Sequence, residues 1–189
     1  MPSHKHQSLP SPKSQPKIWV YGFAPFLHYP ENITEKIILR LQDDKSLSHV
    51  RFDVLPVRFE PEIFRKPVEA LKPEFVLGMG QYPRGQKVRI ERKAYNWQQD
   101  KRQHPHLAEP IIEGSSDTLS PNWILPPTAM SWRSYNAGRY VCNYSMYHLT
   151  HLAQSHHFKY AFLHIPKDLS LEPAVRFVKD CLKNKGYRS

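Results

Sequence analysis

The chain turns apolar at residues 17–26, which read KIWVYGFAPF. A continuous apolar run that stops at Gly22 is typical of a buried strand. The same patterns predict further strands at 50–57, 75–77, 87–96 and 159–165, and helices at 32–42, 61–71, 139–153 and after Ser170. Strands that are apolar on both faces and alternate with helices predict an α/β fold. We expect a three-layer α/β/α sandwich with a mainly parallel mixed sheet.

Residues 1–16 contain almost no apolar side chains. We therefore expect a flexible N-terminal tail there and a single α/β domain over residues 17–189, a length sufficient for one continuous core. Residues 98–121 are polar and contain prolines. So long an irregular segment indicates a functional excursion rather than a plain connection.

The composition narrows the class of protein. The 27 Lys and Arg outnumber the 17 Asp and Glu, a formal net charge of +10, and a hydrophobic content of 40% excludes a disordered chain. No apolar stretch reaches the length of a membrane span, and the N-terminus lacks the apolar segment of a secretory signal. We expect a cytoplasmic protein without a membrane partner. The charge leaves open a nucleic-acid-binding protein and an enzyme with a basic surface.

The two cysteines, Cys142 and Cys181, lie too far apart in the sequence to form a disulfide framework. Cys142 stands at the predicted start of a helix, within NAGRYVCN at 136–143. N–H groups and the helix dipole favour a thiolate there and can hold an oxyanion. The alternative is a buried cysteine that packs as a small apolar residue. Cys181, on the apolar stripe of the last helix, fits that alternative.

Two further residues could complete an acyl-transfer site. Ligands of α/β proteins usually bind beyond the carboxyl ends of the strands, which predicts that 22–26, 78–81 and His164 lie near one another. Glu91 lies among bases, in RIERK at 89–93, and could equally be a surface ion-pair partner. A thiol, an imidazole and a carboxylate are the nucleophile, base and orienter of acyl transfer. Sequence spacing alone does not bring them together.

Six segments in order resemble the pyrrolidone-carboxyl peptidase (pyroglutamyl peptidase I) family of cysteine peptidases. The resemblance spans about residues 17–184, and its segments are VYGFAPF at 20–26, LPV at 55–57, GQ at 80–81, ERKAYN at 91–96, AGRYVCN at 137–143 and AFLHIP at 161–166. The blocks that end in Cys142-Asn143 and in His164-Ile165-Pro166 are the most specific of the six.

The resemblance implies an enzyme that removes an N-terminal pyroglutamyl residue from peptides or small amides. It assigns Cys142 as the nucleophile, His164 as the general base and then acid, and Glu91 as the orienter. Phe23 and Phe26 would line a pocket for the flat lactam ring, although ordinary core packing also accounts for both, and Gln81 would lie at the mouth of that pocket. The family needs no cofactor, and the resemblance allows a homo-oligomer.

The chain also departs from the family pattern. Residues 82–85, Tyr-Pro-Arg-Gly, are bulkier than the family's glycine-rich turn. Residues 101–104, Lys-Arg-Gln-His, replace an Arg-hydrophobic-Pro-Asp stretch, so Arg102, or Lys101, would support the oxyanion. Arg139 stands where many relatives have a smaller or apolar residue.

These departures leave alternatives to pyroglutamyl specificity. The first is a divergent cysteine hydrolase acting on another N-blocked or amide substrate. The second is a catalytically inactive basic binding protein, since residues 84–102 carry seven Lys or Arg and two acids, with Tyr95 and Trp97 between them. Because this basic segment contains Glu91, we favour a solvated basic face beside an enzyme site over a nucleic-acid partner.

Overall fold

The computed structural model describes residues 17–26, 29–99 and 109–183. The strands of these residues are β1 (Ile18–Phe23), β2 (Val50–Leu55), β3 (Phe75–Tyr82), β4 (Val88–Glu91), β5 (Ala94–Tyr95), β6 (Thr118–Leu119), β7 (Ser131–Ser134) and β8 (Lys159–Pro166). The α-helices are α1 (Ile33–Gln42), α2 (Glu62–Leu71), α3 (Val141–His156) and α4 (Leu171–Lys183), and a short 3₁₀ helix lies at Lys45–Leu47. The predicted flexible tail, residues 1–16, lies outside the described residues.

Six of the strands form one mixed sheet in the order β2-β1-β3-β8-β4-β7. β4 pairs antiparallel with β8, and the other four pairs within this sheet are parallel. β5 and β6 form a separate antiparallel pair. The mainly parallel mixed sheet confirms the α/β fold that the alternation of strands and helices predicts.

The side chains of β8 alternate between two cores, one on each face of the sheet. Ala161, Leu163 and Ile165 pack in one core with residues of α1 and α4. Tyr160 and Phe162 pack in the other with residues of α2 and α3. Because successive side chains of a strand point to opposite faces, a strand buried on both faces is apolar throughout. The helices therefore form the two outer layers of the sandwich.

The end of β1 is held against the start of α1 by two polar side chains. The Asn32 Oδ1 accepts the N–H of Thr34 at 3.0 Å, and the Thr34 Oγ1 accepts the N–H of Phe23 at 2.9 Å. A Cβ on Gly22 would lie only 2.9 Å from Thr34, so a glycine is required for this close approach. The contact places Phe23 at the carboxyl edge of the sheet.

The structure differs from the predicted elements at several points. β3 continues to Tyr82 rather than ending at residue 77, and β6 lies within the predicted irregular segment 98–121. The predicted strand at 87–96 is two strands, because β4 ends at Glu91 and pairs with β7 and β8, whereas β5 pairs with β6. The sequence pattern does not predict β7, since its two central residues are exposed at the edge of the sheet. None of the described helices is both long enough and apolar enough to cross a membrane.

Candidate active site

A cavity of about 400 Å³ opens beyond the carboxyl ends of β1, β3 and β8. This is the edge at which ligands of parallel α/β sheets usually bind. The described lining residues are Phe23, Phe26, Asn32, Val57, Gln81, Tyr82, Pro83, Arg89, Asn136, Ala137, Gly138, Arg139, Tyr140, Val141, Cys142 and His164. The cavity thus brings together the three segments that the sequence places near one another.

Cys142 is the second residue of α3 and is half-buried in the cavity wall. The chain enters the helix through a turn in which Gly138 has φ +83°, and the Asn136 Oδ1 accepts the N–H of Gly138 at 2.9 Å. The first N–H groups of any α-helix lack intrahelical acceptors and carry the positive end of the helix dipole. The thiol therefore lies where a negative charge is stabilised.

Gly80 on β3 leaves the space that the thiol occupies. A Cβ on Gly80 would lie 2.5 Å from the Cys142 Sγ and 3.2 Å from the His164 Cδ2. Gly80 is also paired with His164 in the parallel ladder of β3 and β8. The absence of a side chain at Gly80 thus allows the thiol to lie over the strand beside the imidazole.

The His164 ring links Cys142 to Glu91. Its Nδ1 lies 2.8 Å from the Glu91 Oε1, and both side chains are buried. Burial alone would lower the pKa of His164, but the Cys142 thiolate and the Glu91 carboxylate outweigh burial and raise that pKa to about 9. The thiol and the imidazole are neighbours, because the position of a Cβ on Gly80 lies 2.5 Å from the Cys142 Sγ and 3.2 Å from the His164 Cδ2. The structure therefore brings together all three residues that the sequence nominates.

Asn143 anchors the start of α3 to the chain that follows Glu91. Its Oδ1 accepts the N–H of Tyr95 at 2.9 Å, and its Nδ2 donates to the carbonyls of Tyr95 and Trp97, both at 2.8 Å. The side chain is fully buried. Asn143 thus fixes the cysteine relative to the strand that carries the carboxylate. The pattern at 137–143 contains Asn143, but only the fold indicates its role.

The apolar wall of the cavity contains the two predicted phenylalanines. Phe23 is almost completely buried and belongs to the core, yet its ring also reaches the cavity. Phe26 is stacked on Tyr140 with 6.1 Å between the ring centroids. The Gln81 Oε1 accepts the N–H of Ile33 at 3.0 Å, which leaves the Gln81 amide N–H groups as potential donors. The wall therefore combines aromatic surface with a hydrogen-bonding amide.

Two arginines line the same cavity, and the sequence pattern does not predict their arrangement. The guanidinium carbon of Arg89 lies 3.6 Å from the centroid of the Tyr82 ring, and that of Arg139 lies 4.0 Å from the centroid of the Trp97 ring. Arg102, the predicted oxyanion support, and the rest of 101–104 lie outside the described residues. Of the bulky segment 82–85, Tyr82 and Pro83 line the cavity.

Metal chemistry needs a cluster of ligating side chains. In residues 17–26, 29–99 and 109–183, no three His, Cys, Asp or Glu side chains are grouped closely enough to hold a metal ion. For chemistry, the described site offers a thiol, an imidazole and a carboxylate as side chains, and backbone N–H groups at the start of a helix. This set fits acyl transfer through a covalent intermediate.

Comparison with known proteins gives concordant matches. The family model described as pyroglutamyl peptidase matches residues 16–117 and 127–171 of the chain. The pyrrolidone-carboxylate peptidase of Saccharolobus islandicus strain L.S.2.15 is 27% identical over 169 residues, which cover 79% of this chain and 78% of the relative. That of Thermococcus litoralis is 28% identical over 173 residues, which cover 79% of this chain and 76% of the relative.

Solved structures have the same fold. A variant of the pyrrolidone carboxyl peptidase from Pyrococcus furiosus matches with a TM-score of 0.77 and 24% identity, covering 89% of this chain and 97% of that one. The pyrrolidone carboxyl peptidase from Thermococcus litoralis matches with a TM-score of 0.76 and 23% identity, covering 89% of this chain and 92% of that one. Both matches confirm the α/β architecture.

Proposed function

The chain belongs to the pyroglutamyl peptidase family, and from this premise we propose that it removes N-terminal pyroglutamyl residues from peptides with Cys142 as its nucleophile. The observation that carries the proposal is the contact of Glu91 with His164, whose ring lies beside a thiol at the start of a helix. The family match supports the cysteine-peptidase class. The roles of the individual residues rest on the geometry of the cavity.

In the proposed reaction the Cys142 thiolate attacks the carbonyl carbon of the scissile peptide bond. The oxyanion that forms accepts hydrogen bonds from N–H groups at the start of α3. The His164 imidazolium donates its proton to the leaving amine as the carbon–nitrogen bond breaks, which leaves a pyroglutamyl thioester on Cys142. His164 then takes a proton from water, the resulting hydroxide attacks the thioester, and free pyroglutamate and the thiolate are released.

Glu91 acts through His164 rather than on the substrate. Its carboxylate fixes the orientation of the ring and stabilises the imidazolium, because the Oε1 lies 2.8 Å from the Nδ1. The Glu91 side chain is fully buried and does not line the described cavity. We therefore assign it a positioning role.

For recognition we propose that the lactam ring lies against the Phe23 and Phe26 rings. Both rings line the cavity, and a flat, uncharged amide ring fits an aromatic wall. Because the Gln81 Oε1 already accepts the N–H of Ile33, the Gln81 amide would donate to the lactam carbonyl. Arg102 remains our proposed support for the oxyanion.

Hydrolysis of a pyroglutamyl amide that releases a fluorescent amine tests the proposal. We expect turnover by the full chain and a loss of at least about 10³-fold in kcat/KM for Cys142→Ala. The matched control is Cys181→Ala. Cys181 is the other free cysteine, packs in a hydrophobic core and does not line the described cavity. The proposal fails if the unmodified chain has no activity, or if Cys142→Ala is as active as the control.

A second candidate is a cysteine hydrolase that acts on another N-blocked or amide substrate. The observation that favours it is the bulky, charged part of the cavity formed by Tyr82, Pro83, Arg89 and Arg139. A thiol-reactive probe that labels Cys142 rapidly near neutral pH, without pyroglutamyl turnover, would favour this candidate. Nucleic acid remains the less favoured partner, and binding that falls steeply with added salt would support it.

Three further expectations remain predictions. They are the cytoplasmic location, the single domain over residues 17–189 and the homo-oligomer. Cell fractionation tests the first, limited proteolysis the second, and light scattering at several protein concentrations the third.

A further inference from the structure

We propose that the enzyme prefers substrates in which a carboxylate follows the pyroglutamyl group, and that Arg89 and Arg139 bind this carboxylate. The inference rests on the proposed function and names the substrate class of the same site. The carboxylate comes from an acidic side chain on the residue after the scissile bond, or from the free C-terminus of that residue.

Among its Arg, Lys, Asp and Glu residues, the described lining of the cavity contains only arginines. Arg89, Arg139 and His164 line it, and no Asp or Glu stands among the described lining residues. Glu91 is fully buried behind the imidazole and pairs with it. Across the described residues, neither arginine forms an ion pair with a carboxylate. Arg89 and Arg139 are therefore cations of the cavity that have no carboxylate partner among the described residues.

Arg89 stands directly beside the reacting groups. It is paired with His164 in the antiparallel ladder of β4 and β8, so both side chains lie on the same face of the sheet. Tyr82 and Trp132 hold the guanidinium, whose carbon lies 3.6 Å and 5.2 Å from their ring centroids. One guanidinium nitrogen also donates to the Tyr82 hydroxyl at 2.5 Å.

The stacking of Arg89 leaves hydrogen-bonding capacity at the edge of the guanidinium. The guanidinium lies over the Tyr82 ring, and the Tyr82 hydroxyl uses one of its several N–H donors. A guanidinium edge matches a carboxylate through two parallel hydrogen bonds. Stacked rings hold the charge in place before a substrate arrives, which reduces the entropy lost on binding.

Arg139 supplies a second cation close to the nucleophile. It precedes Cys142 by three residues, in the turn that leads into α3. Its guanidinium carbon lies 4.0 Å from the centroid of the Trp97 ring, and its backbone carbonyl accepts the N–H of Gln99 at 2.9 Å. Both the backbone and the side chain of Arg139 are therefore anchored.

The chemistry of the pyroglutamyl group does not account for these cations. Its lactam is uncharged, and the aromatic wall with Gln81 already offers it apolar contact and a donor. The part of the substrate that follows the scissile bond therefore occupies the rest of the cavity, where Arg89 and Arg139 lie. An anionic group there forms charge-assisted hydrogen bonds with donors that have no carboxylate partner in the described part of the chain.

Three matched peptides test the inference: pyroglutamyl-glutamate amide, pyroglutamyl-glutamine amide and pyroglutamyl-glutamine with a free C-terminus. The first two differ in side-chain charge alone, and the last two in terminal charge alone. We expect at least one charged peptide to exceed the neutral one about tenfold in kcat/KM, a ratio that falls as salt is added. Equal kcat/KM for all three peptides overturns the inference, and whichever charged peptide is preferred identifies the source of the carboxylate.

Variants then assign the preference to the arginines. We expect Arg89→Gln to reduce the ratio of charged to neutral kcat/KM about tenfold, Arg139→Gln to reduce it less, and Arg89→Lys to restore part of it. The control is Arg133→Gln, which removes the same charge from β7 at a residue that does not line the cavity. An equal fall for charged and neutral peptides in Arg89→Gln overturns the inference and assigns Arg89 to general catalysis.

Binding separates failure of the inference from failure of the proposed function. The affinities of the same peptides for the Cys142→Ala variant are measured by calorimetry, which needs no turnover. Tighter binding of a charged peptide, lost when Arg89→Gln is added, supports the inference even if the unmodified chain hydrolyses none of the peptides. Equal affinities overturn it even if every peptide is hydrolysed.

Discussion

The start of α3 and the end of α4 each carry a free cysteine, yet the two thiols have opposite surroundings. Cys142 is half-buried beside His164 at a helix start. Cys181 is buried in an apolar core near the end of its helix, and burial raises its pKa to about 12. We propose that these surroundings, rather than the thiol itself, make Cys142 the reactive cysteine.

Removing the imidazole beside Cys142 should have the largest effect, because Cys142 then loses the neighbour that Cys181 lacks. We expect His164→Asn to lower kcat by at least about 10³-fold, because neither the thiolate nor the leaving amine then has its proton partner. The control is His148→Asn on α3, since burial lowers the pKa of His148 to about 4 and this residue does not line the cavity. Steady-state kinetics decide, and similar losses in both variants would contradict the assignment.

Removing the charge behind the imidazole has the next largest effect. We expect Glu91→Gln to lower kcat about 10²-fold or more, since the ring loses both its orientation and the partner of its imidazolium. In the unmodified chain, activity falls as pH rises through about 9, where His164 loses the proton that the leaving amine needs. Without the carboxylate this alkaline limb moves to lower pH. An unchanged limb in the kcat profile would contradict the role of Glu91.

Filling the space under the thiol displaces Cys142 without altering its chemistry. We expect Gly80→Ala to reduce kcat per folded molecule at least about tenfold, since the new Cβ would lie 2.5 Å from the Sγ. Gly78→Ala is the matched control, because its Cβ would meet Tyr21 and Phe162 rather than Cys142.

Both glycine variants should lower the free energy of unfolding by about 1–3 kcal/mol, as overpacking in a core does. Chemical denaturation measures this loss alongside the kinetics. A larger fall in kcat for Gly78→Ala than for Gly80→Ala would contradict the account.

The smallest expected effect is a change in the pKa of His164, which distinguishes the two cysteines. We expect the pKa of His164 to fall in Cys142→Ala, because the thiolate that stabilises the imidazolium is gone. In Cys181→Ala it should not change. Titration of the imidazole carbon-bound proton by NMR measures both variants. A pKa that stays near 9 in Cys142→Ala would show that the thiol does not interact with His164.

Local pattern predicts much of the fold. Local sequence predicts β1, β8 and α4, because the apolar runs of the two strands and the apolar stripe of the helix depend only on which faces are buried. The central residues of β7 are exposed at the sheet edge. Its pairing joins residues 131–134 to residues 88–91, which are far away in the sequence. The break after Glu91 likewise arises from contacts made far along the sequence, which no local pattern contains.

The candidate site divides in the same way. Cys142, His164 and Glu91 are recognisable from residue type and family resemblance, and the fold places them together. The thiol over Gly80 and the Asn143 anchor depend on the register between separate elements. Such long-range geometry follows from the folded chain rather than from the spacing of residues.

The central claim is that Cys142 is the nucleophile. The most direct test alkylates the folded chain and measures activity in the same sample. Iodoacetamide is added at neutral pH in less than one equivalent, and peptide mapping locates the label while the same sample is assayed. We predict that the label is found on Cys142, that activity falls in proportion to it, and that Cys181 remains unmodified. Activity that does not fall as the label on Cys142 rises, or labelling of Cys181 before Cys142, would contradict the account.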